Sequence, residues 1–297
     1  MRLLSFVSVL VLGLSVAPAT TLAQGGTDVW VASLTERGAS LSVGRPRNVT
    51  ARAGYDNQPS FTPDGAAVLF TSIHGDGQSD IWRVAVAGGT PSRVTTTAES
   101  EYSATGTPDG RGFTVIRVEP DSTQRLWRFP WDGTAPSLVL PGLKPVGYHV
   151  WVADHAIGAF ILGVPNGTPN ALVLADPRTD RVDTLSRNIG RAFARVPGRD
   201  AFTFAQLAGD TVWFSEVDVR TGSVRRLMQA PPRGEYHVWT LNGELIATAG
   251  SRLYRWVDGR WDVLADFAVD GIRTISRIAL SPAGDQIAFV TEDHAAP

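Results

Sequence analysis

The tetrapeptide Tyr-His-Val-Trp occurs twice, as Tyr148-His149-Val150-Trp151 and as Tyr236-His237-Val238-Trp239, and it holds two of the five histidines. Imidazole is the side chain whose ordinary pKa lies nearest neutrality, so a matched pair offers proton transfer or metal ligation. Polar groups cluster at corresponding places: Tyr55-Asp56-Asn57, Glu101-Tyr102 and Glu235, with Arg191 between the two tetrapeptides. Together they describe a polar, aromatic-rimmed site for a divalent metal, an anion or a sugar-like ligand. As a lyase or hydrolase acting on carbohydrate or a small ester, the set would use His149 or His237 as general base with Glu101, Glu235 or Asp56. The opposing reading makes the tetrapeptide a packing unit, with Val and Trp filling a core and each His bonded to a neighbouring loop. Duplication explains such repetition cheaply. There is no His-x-His or His-Glu-x-x-His spacing, so no metal ligand and no cofactor is assigned. No Gly-x-Ser-x-Gly elbow is present either, and no catalytic residue is assigned.

Elements must position these groups, and the chain repeats one small unit that would do so. Its clearest copy runs from Gln58 to Thr95: a short strand (Pro59, Ser60, Phe61), a Thr62-Pro63-Asp64-Gly65 turn, an apolar strand (Val68, Leu69, Phe70), an Asp80-Ile81-Trp82-Arg83 strand and a closing Ser92-Arg93-Val94-Thr95 strand. Pro presets φ at the first corner, Asp accepts local backbone bonds and Gly supplies positive φ. Aligned on the third strand, the copies fall at Trp30, Trp82, Trp127, Val173, Trp213 and Tyr254. The intervals are 52, 45, 46, 40 and 41 residues, the period of a four-stranded blade. The first turns keep step, at Asp64, Asp109, Asp154, Gly198, Asn242 and Ala283.

This spacing predicts an all-β chain, a single six-bladed β-propeller of four-stranded antiparallel blades. The chain after Ala23 opens on a third strand (residues 28–32) and a fourth (48–50), and ends on a first and second (276–290). A blade shared between these segments would close the ring and remove its open edges. Both histidines lie at equivalent places two blades apart, on strands that enter the channel mouth.

Residues Gln58 to Gly65, Asp80-Ile81-Trp82 with Arg93-Val94-Thr95, and Ser281-Pro282 with Ile287-Ala288-Phe289 resemble the TolB-type, WD40-like propeller repeat of exported bacterial proteins. The resemblance implies a scaffold that binds a protein or cell-envelope component before it implies catalysis. It departs from that family in lacking the α/β domain that precedes the TolB propeller, since no stretch of helical periodicity is long enough to supply one.

The composition agrees with export. Arg2 precedes an apolar run from Leu3 to Val16, followed by Ala17-Pro18-Ala19 and Thr21-Leu22-Ala23. This reads as a signal peptide over residues 1–23, cleaved between Ala19 and Ala23, with the propeller over 24–297 and a periplasmic or secreted location. The run is shorter than the roughly 20 residues of a membrane span, and no later stretch reaches that length. The absence of cysteine excludes a lipobox, disulfides and a thiol nucleophile. A formal charge of −2, with no basic stretch interleaved by aromatics, excludes nucleic acid as an expected partner.

Overall fold

The computed structural model describes residues 26–75, 77–164 and 167–292; the proposed signal segment lies outside them. The chain runs as β1 (Thr27–Arg37), β2 (Ser40–Val43) and β3 (Arg47–Asn48), then β4 (Tyr55–Phe61), β5 (Ala67–Ile73), β6 (Ser79–Ala85) and β7 (Ser92–Arg93). Next come β8 (Ser100–Gly106), β9 (Gly112–Val118), β10 (Gln124–Pro130) and β11 (Ser137–Val139), then β12 (Val146–Ala153), β13 (Ala156–Ile161), β14 (Ala171–Asp176) and β15 (Arg181–Arg187). They are followed by β16 (Ile189–Arg195), β17 (Ala201–Ala208), β18 (Thr211–Asp218) and β19 (Val224–Gln229). The last are β20 (His237–Trp239), β21 (Leu245–Ala249), β22 (Arg252–Val257), β23 (Arg260–Asp266), β24 (Ile275–Leu280) and β25 (Gln286–Glu292). Among the described residues there is no α-helix, and none therefore long and apolar enough to cross a membrane.

Four sheets hold four antiparallel strands each: β8 to β11, β12 to β15, β16 to β19 and β20 to β23. The fifth has nine strands, in the order β24-β25-β1-β4-β5-β6-β7, with β2 and β3 also on β1. In that sheet β1 pairs antiparallel with β25 from Thr27↔Glu292 to Ser33↔Gln286, whereas its link to β4 is the single parallel pair Thr27↔Tyr55. The long first interval of the repeat is the hairpin of β1 and β2, from Leu34↔Val43 to Arg37↔Ser40.

Local chemistry explains the repeating turn between a first and second strand. Gly65, Gly110, Gly243 and Gly284 all have φ between 67° and 82°, which a residue with a Cβ resists. Their N–H groups donate to the carbonyls of Thr62, Thr107, Thr240 and Ser281 at 2.9–3.0 Å. The Thr62 and Thr107 hydroxyls each donate to the carboxylate two residues on, Asp64 and Asp109, at 2.6 Å.

Second strands such as β5 and β13 are apolar and buried on both faces, while the outer β7 and β19 are mostly exposed. A strand covered on both sides needs no alternation, so Val68, Leu69 and Phe70 run together. Hydrophobic clusters lie between successive sheets: Leu69 and Ile81 meet Phe113 and Phe129, and Ile116 and Leu126 meet Ile157 and Val173. Another joins Ile246 and Leu253 of the β20 to β23 sheet to Ile287 and Phe289 of β25.

Candidate functional site

The first strands carry the site, and most of them break register at one point. β-bulges fall between Asn57 and Ser60, Tyr102 and Thr105, Val146 and Tyr148, Ile189 and Phe193, and Ser276 and Ile278. A bulge bends the strand and re-aims a side chain. Gln58, Ser103 and Arg277, at φ of 57°, 56° and 50°, occupy it in the left-handed region without being glycine. These three, with Tyr236, stand four residues before the residue whose carbonyl accepts the turn glycine's N–H. Tyr148 matches Tyr236 through the repeated tetrapeptide. Residues on or beside β4, β8, β12, β16, β20 and β24 line one cavity of 130 Å³, among them Gln58, Ser103, Tyr148, Arg191, Tyr236 and Arg277. A second cavity of 470 Å³ shares Gln58, Tyr148, Arg191 and Arg277 and opens past Tyr55, Asn57, Tyr102, Gln124 and Asn170, at the mouth away from the turns.

Arg277 lines both cavities. Its Nη1 donates to the Tyr236 hydroxyl at 2.7 Å and its Nη2 to the Tyr148 hydroxyl at 2.9 Å. The guanidinium carbon also stands 4.8 Å from each of those ring centroids, within cation–π range. Burial opposes its charge, but Tyr148, Tyr236, Tyr55 and the Glu235 carboxylate outweigh it and raise its pKa above the usual value. Four of the five tyrosines line the two cavities. Burial pushes the Tyr55 phenol up to about 12 and raises that of Tyr236, so these hydroxyls keep their protons and remain donors.

The two histidines are placed alike, within the channel wall. His149 Nε2 stands 2.6 Å from Thr114 Oγ1, and His237 Nε2 stands 2.8 Å from Thr203 Oγ1. Each threonine also accepts an indole N–H, from Trp151 at 2.8 Å and from Trp239 at 2.9 Å. A hydroxyl has one proton. Its nearest backbone acceptors, the Thr105 and Ala194 carbonyls, stand at 3.3 Å. The Glu235 carbonyl, 3.3 Å from His237 Nδ1, can only accept, so that ring carries its proton on Nδ1 and the Thr203 hydroxyl points to Nε2, whereas His149 Nδ1 is buried without a partner among the described residues. Burial lowers His149 to about 3 and His237 to about 4, so both stay neutral near pH 7. Each His-x-Trp thus clamps a threonine of the preceding sheet, its Nε2 held against the hydroxyl and its indole N–H donated to it. Thr203→Val, which keeps the shape and removes the hydroxyl, strands an indole and an imidazole; urea unfolding should show a loss of about 1–3 kcal/mol.

The other expected residues divide. Asn57, Tyr102, Tyr148, Tyr236 and Arg191 line the cavities with the histidines. Asp56 and Glu101 do not, and the expectation that they face the channel mouth is corrected. Asp56 is fully buried; its Oδ1 accepts from Arg52 at 2.7 Å and from Ser72 at 2.6 Å, yet burial keeps its pKa raised. Glu101 is also fully buried, accepts from Thr97, and is pushed up to about 7 by burial. Strand alternation is the reason: each neighbours a channel-lining residue and so points to the other face. Glu235 lies outside both walls and accepts the Arg191 backbone N–H. Arg277 went unnoticed in the sequence; the register that matches Ser276-Arg277-Ile278 to Glu235-Tyr236-His237 was the available signal.

No protein-family model matches the chain, and no curated protein matches it in sequence. Solved structures do match. The putative TolB from Agrobacterium tumefaciens is 16% identical with a TM-score of 0.69, over 92% of this chain and 100% of that one. The gluconolactonase XC5397 from Xanthomonas campestris is 12% identical with a TM-score of 0.64, over 92% and 99%. TolB from Acinetobacter baumannii is 18% identical with a TM-score of 0.53, and the match spans 68% of this chain and about half, 51%, of that one. Likeness at such identity concerns fold, and the same fold serves unrelated activities. The chain is an all-β protein with the fold of a β-propeller.

Proposed function

We propose that this chain is an exported, non-enzymatic propeller that binds a protein or cell-envelope component at the channel mouth bearing Arg191. The observation that carries it is the mouth itself, where tyrosines and two arginines gather in cavities whose walls contain no acid. Tyrosine and arginine are the residues in which binding energy concentrates at protein interfaces. The TolB-named neighbours support an interaction module, and the sequence-read signal over residues 1–23 supports a periplasmic location for residues 24–297. We read the nine-stranded sheet as two blades meeting at Thr27 and Tyr55, giving six. The β1–β25 ladder and the Ile246–Phe289 cluster support a ring closed by the shared blade.

The alternative, a hydrolase or lyase based on His149 or His237, has the gluconolactonase likeness in its favour. Against it, both Nε2 atoms are held by threonines and both imidazoles are weak bases. A metal at this site has less support still, because among the described residues no three His, Asp or Glu side chains gather.

Charge reversal at the two mouths separates the readings. Arg191→Glu should weaken capture of the partner from envelope extract by about tenfold, a typical cost of losing one interfacial charge contact. Arg111→Glu, beside the Asp109-Gly110 turn at the other mouth, should leave it unchanged. Equal capture by both variants and the wild type removes the proposal.

A further inference from the structure

We infer that the channel is a binding site for a carboxylate group, received between Arg277 and the hydroxyls of Tyr148 and Tyr236. The inference deepens the proposed function, since it names the chemistry that the same mouth recognises.

The charge balance of the cavity walls is one-sided. Arg277 and Arg191 line both cavities, and neither wall contains Asp or Glu. Among the described residues no carboxylate lies within 4 Å of either guanidinium. Glu235, whose charge acts on Arg277 from outside both walls, is already engaged by the Arg191 backbone N–H. A guanidinium taken out of bulk water without an anion is unfavourable, and a ligand anion would relieve it.

Donor geometry points the same way. An arginine has five N–H donors, and Arg277 spends two on the tyrosines. Because Tyr148 and Tyr236 accept those bonds, their own protons are free to be given to something else. The result is an array of donors with no acceptor to match. A guanidinium fork suits the two oxygens of a carboxylate. A phosphate dianion would call for more positive charge than one central arginine and one at the rim. The larger cavity, 470 Å³, lies in the range of small-molecule sites. Its Phe160, Leu162 and Ile116 offer an apolar side to the body that carries the carboxylate.

Two sources share this chemistry, a free small acid and the C-terminus of a peptide chain, and matched pairs distinguish them. Titration calorimetry of the full mature chain would use hippurate against hippuramide, and N-acetyl-trialanine against its C-terminal amide, with inorganic phosphate as a further probe. The expected result is binding of at least one carboxylate and none of its neutral counterpart; the pair that responds identifies the source. Arg277→Gln should weaken that binding by at least about tenfold, the loss of a charge-assisted hydrogen bond. The substitution is tolerable locally, because Gln58 occupies the equivalent bulge at nearly the same φ. Should that variant not fold, Tyr148→Phe/Tyr236→Phe, which keeps the guanidinium and removes the donors, should weaken binding as well. Binding of neither carboxylate, equal binding of acid and amide, tighter binding of phosphate, or full affinity in the folded variants overturns the inference. Failure here with mouth-dependent capture intact removes the carboxylate assignment alone; loss of that capture leaves the titration standing.

Discussion

Phe289→Ala is expected to destabilise the fold by about 3–5 kcal/mol, the range for emptying a buried phenylalanine site. Phe289 is fully buried on β25 and faces both neighbours in its sheet, pairing with Trp30 on β1 and Ile278 on β24. Its ring stacks on Phe267 with centroids 5.4 Å apart and planes at 11°. It also belongs to the cluster with Ile246 and Leu253. One side chain therefore joins the first described strand, the last ones and the β20 to β23 sheet. With so many neighbours fixed by their own ladders, the cavity has little means to collapse. Val269→Ala, at a position 93% exposed, should stay within about 0.5 kcal/mol. Urea unfolding of both variants, with the denaturant slope unchanged, measures the difference. A Phe289 variant as stable as the Val269 one would mean that packing around the β1–β25 ladder adds nothing to stability.

The second large effect is on pH dependence. Glu101 has an ordinary pKa of 4.5 and is pushed up to about 7 in the fold. Burial is the cause. It prevails over the Thr97 and Thr95 hydroxyls and over Arg117, whose Nε is 3.9 Å away and whose Nη2 is taken by Glu99, while Asp80 adds to the rise. The native chain thus holds a proton that the unfolded chain has released between pH 4.5 and 7. Stability from this group is complete below 4.5 and falls as pH rises through that window. The loss is at most on the order of 3 kcal/mol, at about 1.4 kcal/mol per pKa unit. Glu101→Gln stays neutral throughout, so it should gain on the wild type by that amount between pH 4.5 and pH 8. Parallel stability curves for the two proteins across this range would show that Glu101 titrates in the fold as it does in the unfolded chain.

Much of the architecture was legible because it is written locally. Pro63-Asp64-Gly65 prescribes its own turn through a preset φ, a side-chain acceptor and a residue free to adopt positive φ, and the other copies march with it. The third-strand residues Trp30, Trp82, Trp127, Val173, Trp213 and Tyr254 all lie on the strands expected of them, β1, β6, β10, β14, β18 and β22.

The site was legible only in part, and the reasons are physical. Tyr55 and Asn57 line the channel, but Asp56 between them points across the strand; a period of two separates neighbours that composition treats as one cluster. The repeated His149 and His237 drew attention as reactive groups, yet what repeats is a clamp between sheets, and the threonines that complete it lie 35 and 34 residues earlier. Arg277 belongs to no motif at all. Its importance comes from a bulge, and from tyrosines 129 and 41 residues away that only the fold brings to it.

Photo-crosslinking from position 191 and from position 111, with a benzophenone side chain at each in otherwise identical full-length proteins, tests most directly whether the Arg191 mouth is where this propeller binds. With envelope extract, an adduct should form from position 191 and be absent from position 111. An adduct from position 111 with none from 191 would place binding at the other end of the channel and contradict the account.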